Sequence, residues 1–400
     1  MSLDYRSPTG DELAAVLRTT GAAFGEEVKD EDVERYRTLL ELGRVLVAWD
    51  GRPVGVTASW SFELTIPGGH ARAAGVTLVG VLPSHRRRGI LRELMARQLA
   101  DVRERGEPLA ILWASESPIY GRFGYGLGAP SAFMHAERSA FALRDDPGPR
   151  GSVRLVEPEE AAERFPAIYE RVRGSRAGML SRTPEWWRCA LLADPEHWRD
   201  GAGPLSSALL ELDGEPAGYA IYRVAPKWDR GTPRGSVRVD EAVGTSPEAT
   251  AEIWRFLFGI DLVERVEWRR VDTALFLMVV DPKRLHVSLS DGLWLRLVDV
   301  GAALRARSFR DGDPVVLEVS DAFLPHNAGR WSVGADEVGR VDGDTDVALD
   351  VADLAAAYLG AFSFERLAGA GRAKELRPGG LARADALFAT VLPPFCPEGF

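Results

Sequence analysis

The sequence predicts a mixed α+β protein in which one arrangement of helix, hairpin and strand occurs twice and a smaller α+β unit follows. Three observations carry this. A strand, an Asp-Gly-x-Pro turn and a second strand occur at Leu46-Val-Ala-Trp-Asp50-Gly-Arg-Pro-Val-Gly55 and again at Leu209-Leu-Glu-Leu-Asp213-Gly-Glu-Pro-Ala-Gly218, each with a helical stretch upstream. The stretch Val79 to Met95 runs from an apolar strand through a basic turn into apolar residues at helical spacing. From Asp291 the character changes, and short strand-like runs alternate with short helices. The boundaries expected are 1–148, 149–288 and 289–400, the first falling in the Pro- and Gly-rich Asp145 to Ser152.

In order, Thr9 and Asp11 are capping-type residues before Leu13, Val16 and Leu17, which predicts a helix to Phe24, and a second amphipathic helix is expected over 30–40. Strands follow at 44–50 and 54–66, then a turn at Pro67-Gly68-Gly69 and the strand ending near Pro83. Leu91, Leu94, Met95 and Leu99 predict a helix through Val102, and the fully apolar 109–114 a buried strand. The second copy repeats this with helix 161–173, strand 237–243 and helix 247–258, but Gly244-Thr245-Ser246 stands where the first copy has its arginines. In the third unit, 315–319, 330–333 and 347–349 read as strands, 352–359 and 381–388 as helices. The tail Val391 to Phe400 is apolar, holds three prolines and ends in an aromatic, so it is expected to dock.

Composition is that of a globular protein, with 46% hydrophobic and 27% charged residues over 400 positions. A formal net charge of -10 opposes general nucleic-acid binding and suits a cationic substrate, although solubility alone accounts for it. Two cysteines, Cys189 and Cys396, form no disulfide framework, and six histidines lack metal-ligand spacing, so no metal is expected. The first residues open no apolar signal segment and no apolar run is long enough to span a bilayer, so a cytoplasmic protein without membrane partners is expected.

Arg86-Arg87-Arg88-Gly89 opposes the macrodipole of the helix that follows, a conflict that a bound anion would remove. The turn is neither a Walker loop nor a dinucleotide fingerprint, and taken alone it is equally a solvated patch. With the preceding Val-x-Val strand and proline it resembles the coenzyme A loop of the GNAT superfamily of N-acetyltransferases. Tyr120 followed by Gly124-Tyr125 matches that superfamily's general-acid tyrosine, with Tyr125 read as a packing aromatic. The His85-Arg-Arg-Arg-Gly loop, Ile119-Tyr-Gly-Arg-Phe-Gly-Tyr-Gly126, the second copy without a cradle and a third unit opening Asp-Gly-Leu-Trp-Leu-Arg and ending in phenylalanine look together like the enhanced intracellular survival acetyltransferases of actinobacteria.

That resemblance covers the chain and implies two tandem GNAT-fold domains, a sterol-carrier-protein-like domain, a homo-hexamer, and acetyl transfer from acetyl-coenzyme A to several amines of an aminoglycoside. Position by position it implies that Val79 and Val81 pair with the pantetheine arm, that Arg86, Arg87 and Gly89 hold the pyrophosphate with Arg88 and Ile90 completing the turn, and that Ser115 lies along the coenzyme. Tyr120 would protonate the departing sulfur and the carboxylate of Phe400 would take the amine's proton, with the tail of the third domain reaching the first. Glu26, Tyr36 and Glu398 would contact the acceptor; Trp186 and Trp187 are more simply core aromatics. Leu91, where many acetyltransferases have Gly or Ala, and the ending Glu-Gly-Phe depart from the family pattern. The rival readings are a protein lysine or polyamine acetyltransferase, and a lipid-binding or scaffolding protein with a vestigial fold.

Overall fold

Pro53–Ile66 and Leu109–Trp113 are buried almost continuously, as strands covered on both faces are, whereas Val315–Ser320 alternates. The structure, a computed structural model, describes residues 3–400 and divides into two compact units. One unit runs to Ala129 and also takes Arg176–Ser181 and Asp291–Phe400; the other takes Pro130–Ser175 and Arg182–Ser290.

In the first unit β1 (Asp4–Arg6), β2 (Val45–Trp49), β3 (Pro53–Ile66) and β4 (Gly69–Val81) pair antiparallel in that order, and β5 (Leu109–Trp113) lies parallel to β4. Leu293–Leu297, from the strand Ser288–Leu297, pairs antiparallel on the far side of β5. The first helix is split: Gly10–Glu12 is a 3-10 turn in which the Glu12 carboxylate accepts from the Thr9 amide, and α1 (Leu13–Phe24) ends at Gly25 with φ +78. After α2 (Asp30–Leu39), α3 (Ile90–Glu104) buries Ile90, Leu94, Met95, Leu99 and Val102; Leu94, Met95 and Leu99 fall on the expected face, while Leu91, expected with them, is only half-buried. Tyr120 ends α4 (Ser117–Tyr120), whose Pro118 suits a helix start.

One local irregularity shapes this unit. Val56 faces Gly80 but Ala58 faces Thr77, so β4 carries an extra residue opposite Thr57, and Leu78 takes φ +53. Gln98 of α3 secures the spot: its amide oxygen accepts from the Thr57 hydroxyl at 2.9 Å and its amide donates to the Ala58 carbonyl at 2.9 Å. The parallel ladder between β4 and β5 covers only Ala73–Gly75, and the two strands part beyond it.

The C-terminal part of the unit is a five-stranded sheet in the order Val338–Arg340, Gly329–Val333, Val315–Ser320, Val347–Asp350, Ala373–Glu375. Val315, Leu317 and Val319 point into a core with the helices Val351–Tyr358 and Gly380–Phe388. Its loop start is fixed by a buried cluster in which Asp321 accepts from Arg296 at 2.6 Å and from Asn327 at 3.0 Å. The tail docks as expected: the Phe395 amide donates to Ala177 and Arg176 to the Pro393 carbonyl, while Gly178, at φ +100, leaves room for Phe395.

The second unit repeats the ladder. Gly235–Gly244 pairs antiparallel with Glu215–Ala225 and parallel with Val263–Trp268, and it too has a register shift, between Val239 and Glu241. Here Arg182, laid over the Tyr169 and Trp187 rings, pairs with Glu241, which Tyr219 also contacts. Trp187 is fully enclosed in this core and Trp186 is buried in the same unit. Among the described residues no helix is long and apolar enough to cross a membrane, and no group of three or more His, Cys, Asp or Glu is placed to hold a metal ion.

Beneath the first sheet Arg44 and Glu107 form a bidentate pair at 3.0 and 2.7 Å, with both side chains almost wholly buried and Ser59 accepting from Arg44. Glu107→Ala strands that guanidinium and is expected to cost about 3–5 kcal/mol, read as an earlier urea transition; the pair replaced together by Met and Leu should recover most of the loss. Equal destabilisation by the single and the double change would refute the account.

Candidate active site

Where β4 and β5 part, the first unit has a cavity of about 620 Å³. Val79, Gly80 and Val81 of β4 line one side; Ser115, Glu116, Ile119 and Tyr120, following β5, line the other. Arg86, Arg87, Gly89, Ile90, Leu91 and Arg92 close it from the loop and the first turn of α3. Eight of the residues singled out from sequence, Val79, Val81, Arg86, Arg87, Gly89, Ile90, Ser115 and Tyr120, therefore meet at one cavity. Arg88 does not line it.

The loop is built for an anion. Gly89 is the N-cap of α3 at φ +81, with no capping side chain, so the first amides of the helix have no partner from a cap. A Cβ at Gly89 would meet nothing within 4 Å, so its φ and the open approach it leaves, not tight packing, call for glycine. Arg87 is also left-handed, at φ +62, and such reversals of hand gather successive N–H groups into a concave anion site. Arg86 does a different job from the one its charge suggests: it donates to the carbonyls of Val81 and Ala23 at 3.2 and 3.1 Å and so ties the loop to β4 and α1. The second copy reverses each feature. Ser246 caps its helix by accepting from the Ala249 amide, and a Cβ at Gly244 would lie 2.3 Å from the Thr250 nitrogen.

Tyr120 is buried, in edge contact with Tyr125 at 5.9 Å, and packs in the core formed by Val76, Met95, Leu99, Leu112 and Phe123. Burial first, and the nearby Glu116 charge second, push its phenol up to about 12. Tyr125 is wholly buried and raised further by the same cause. The chain holds α4 in place from below: Ser117 donates to Asp291 at 2.5 Å, and Trp294 donates to the same carboxylate oxygen at 3.0 Å.

The remaining candidates lie elsewhere in this unit. Trp60 and Phe62, two apart on β3, share a face. Tyr36 stacks on Trp60 at 6.1 Å, and Phe400 packs on Phe62 at 5.2 Å. Burial raises the Tyr36 phenol, with Arg35 opposing and Asp32 and Glu26 adding to the rise. Gly75 makes room for this face, since a Cβ there would strike the Phe62 ring at 2.5 Å and lie 3.3 Å from the Phe400 ring. Glu26 is exposed just past α1, and Glu398 is buried in the docked tail. None of Glu26, Tyr36, Glu398 and Phe400 lines the 620 Å³ cavity. Sequence reasoning gave no role to the wall residues Glu116, Ile119, Arg92, Arg122 and Phe123. Arg92 was findable one helical turn from Arg88; Phe123 lay in view inside the Gly-Arg-Phe-Gly-Tyr-Gly run.

Residues 4–128 match the acetyltransferase (GNAT) domain, residues 178–297 a second acetyltransferase (GNAT) domain, and residues 300–397 the sterol carrier protein domain. With the parted strands and the cradle, these define an acyltransferase that moves an acetyl group to an amine, and its GNAT domains imply use of acetyl-coenzyme A. An uncharacterized N-acetyltransferase of Streptomyces avermitilis is 42% identical over 410 residues, covering all of both chains. N-acetyltransferase Eis of Mycobacterium tuberculosis is 35% identical over 98% of both chains. The crystal structure of Eis1 from Mycobacterium abscessus superimposes with a TM-score of 0.85 at 38% identity, covering 99% of this chain and 100% of that one. The chain belongs to the Eis family of N-acetyltransferases.

Because burial favours the neutral phenol, Tyr120 keeps its proton through the neutral and mildly alkaline range. In an ultraviolet titration, the difference between wild type and Tyr120→Phe should contain no tyrosinate below about pH 11. Folding stability due to this group is complete below pH ~10, where an unfolded tyrosine ionises, and declines as pH rises through the folded value of about 12. Ionisation of Tyr120 near pH 10 would contradict the burial argument.

Proposed function

We propose that this chain acetylates several amines of a polycationic small molecule, an aminoglycoside in the first instance, at the cavity of its first GNAT domain. The observation that carries the reading is the junction of an uncapped helix start, a left-handed basic loop and a buried tyrosine around one cavity. The chain's net charge of -10 suits a cationic acceptor.

When bound, acetyl-coenzyme A supplies the activated acyl group. The α3 amides and Arg87 hold its pyrophosphate, Arg86 keeps the loop seated, Val79 and Val81 offer backbone pairing along the parted edge of β4, and Ser115 flanks the coenzyme. A backbone N–H near Val79 to Val81 meets the oxygen on which charge develops. Tyr120 donates a hydrogen bond to the sulfur as it departs. Outright proton transfer from a phenol near 12 to a thiolate of ordinary pKa ~8.5 is uphill by about 5 kcal/mol. The tyrosine therefore acts by sharing its proton as charge develops, not by surrendering it beforehand.

The carboxylate of Phe400 accepts the proton of the attacking amine. An ordinary α-carboxyl near ~3.5 is a weak base for an ammonium near ~10, so transfer needs a lowered amine pKa or a relaying water. Tyr36 and the acidic Glu26 and Glu398 orient the acceptor, the protein works in the cytoplasm, and the assembly is a homo-hexamer. The same chemistry on a protein lysine or a polyamine is the alternative outcome, and retention of the intact cradle in one copy beside a closed one in the other speaks against a purely lipid-binding or scaffolding role.

Acetyl transfer to a panel of aminoglycosides, polyamines and lysine peptides, with radiolabelled acetyl-coenzyme A, tests the reading. Tyr120→Phe should lower kcat by about 10²–10³ with coenzyme binding retained. Deletion of Phe400 should abolish turnover while calorimetric binding of the coenzyme survives. Full turnover by the truncated chain would remove Phe400 from the mechanism, and exclusive reaction with peptides would replace the acceptor.

A further inference from the structure

A loop of the third domain packs behind the wall of the cavity. Asp321, held by the buried Arg296 at 2.6 Å, accepts the amides of Phe323 at 3.1 Å and Leu324 at 2.8 Å and so fixes the loop's shape. Phe323 and Leu324 pack against the core cluster that contains Tyr120 and Phe123, and the Phe323 ring meets Phe123 edge-on at 5.0 Å. The guanidinium of Arg92 lies over the same ring, 5.3 Å from its centre. Arg92 and Phe123 both line the cavity, so Phe323 stands directly behind two of its wall residues.

Arg92 is exposed, lies in the first turn of α3 beyond the loop, and makes no ion pair with a carboxylate among the described residues. Its charge is therefore free, while the ring beneath removes much of the side chain's freedom, the condition under which a guanidinium loses least entropy on gripping an anion. Coenzyme A carries two separated anionic groups, the pyrophosphate and the ribose 3′-phosphate. The loop amides and Arg87 serve the first.

Resting on the coenzyme reading above, we propose that Arg92 recognises the ribose 3′-phosphate, and that Phe323 of the sterol-carrier-like domain is a positioning residue that presents Arg92 to it. This gives the third domain a part in coenzyme selection.

The experiment compares free coenzyme A with dephospho-coenzyme A on the full chain, by calorimetric binding, and then acetyl transfer from their acetyl forms. Wild type should bind coenzyme A about 10-fold or more tightly than the dephospho form, the worth of one charge-assisted contact. Arg92→Gln, an exposed change, should weaken coenzyme A to the level of the dephospho form, leave the dephospho form within about 2-fold of wild type, and raise KM without lowering kcat. Phe323→Ala should move in the same direction, with Phe323→Tyr restoring discrimination. Equal weakening of both forms by Arg92→Gln would assign Arg92 to the pyrophosphate and overturn the proposal, as would a wild type that does not distinguish the two. Absence of binding of either form by wild type would instead strike the coenzyme reading itself.

Discussion

The divergence of β4 from β5 is the constraint on which the rest of the first unit depends. Two parallel strands that stayed paired along their length would leave no space between their ends. One extra residue at Leu78, in a left-handed conformation that costs energy for a branched side chain, turns the end of β4 away. That distortion is compensated locally, because Gln98 satisfies both the Thr57 hydroxyl and the Ala58 carbonyl opposite the bulge. Since Gln98 sits among Leu94, Leu99 and Val102 on the buried side of α3, the same helix that presents its open start to the cavity also braces the bend that creates the cavity. Geometry and binding surface are thus set by one element.

The second copy is an internal control for this argument. It has the antiparallel and parallel ladders and a register shift in the corresponding strand, yet lacks the cavity's chemistry. Its polar groups are turned inward and satisfied by one another: Ser246 caps the helix, Arg182 and Glu241 neutralise each other beneath Tyr219, and backbone fills the space beside Gly244. A helix start that finds its partner within the chain has nothing left to offer an anion. The same ladder can therefore carry an open helix start in one copy and a capped one in the other.

Much of this was legible in the sequence because apolar periodicity and turn chemistry are local. The stripe from Leu94 to Val102, the Asp-Gly-x-Pro hairpins and the basic turn could be placed by spacing and turn chemistry, whereas the roles of the eight residues that meet at the cavity came from the family resemblance. What could not be read was long-range or conformational. Leu78 has no residue signature for a left-handed bulge. That Arg88 takes no part in the cavity wall, and that Arg86 serves as a strut, follow from backbone turns within a single arginine run. The packing of Phe323 behind Arg92 joins segments from different domains, and Tyr36 and Phe400 meet the same face of β3 only because Gly75 leaves room there.

The docked tail has a consequence for the order in which the first unit can fold. Phe400 packs on Phe62 of β3, and Ala177 and Arg176 hold Phe395 and Pro393 on the way. These contacts join segments far apart in sequence, whereas the β2–β3 and β3–β4 hairpins join neighbours. Closing so long a loop costs entropy before any contact repays it, so the hairpins form ahead of the tail contacts. The aromatic face of β3 is thus a surface of high contact order, completed late although its strand is built from local pairings.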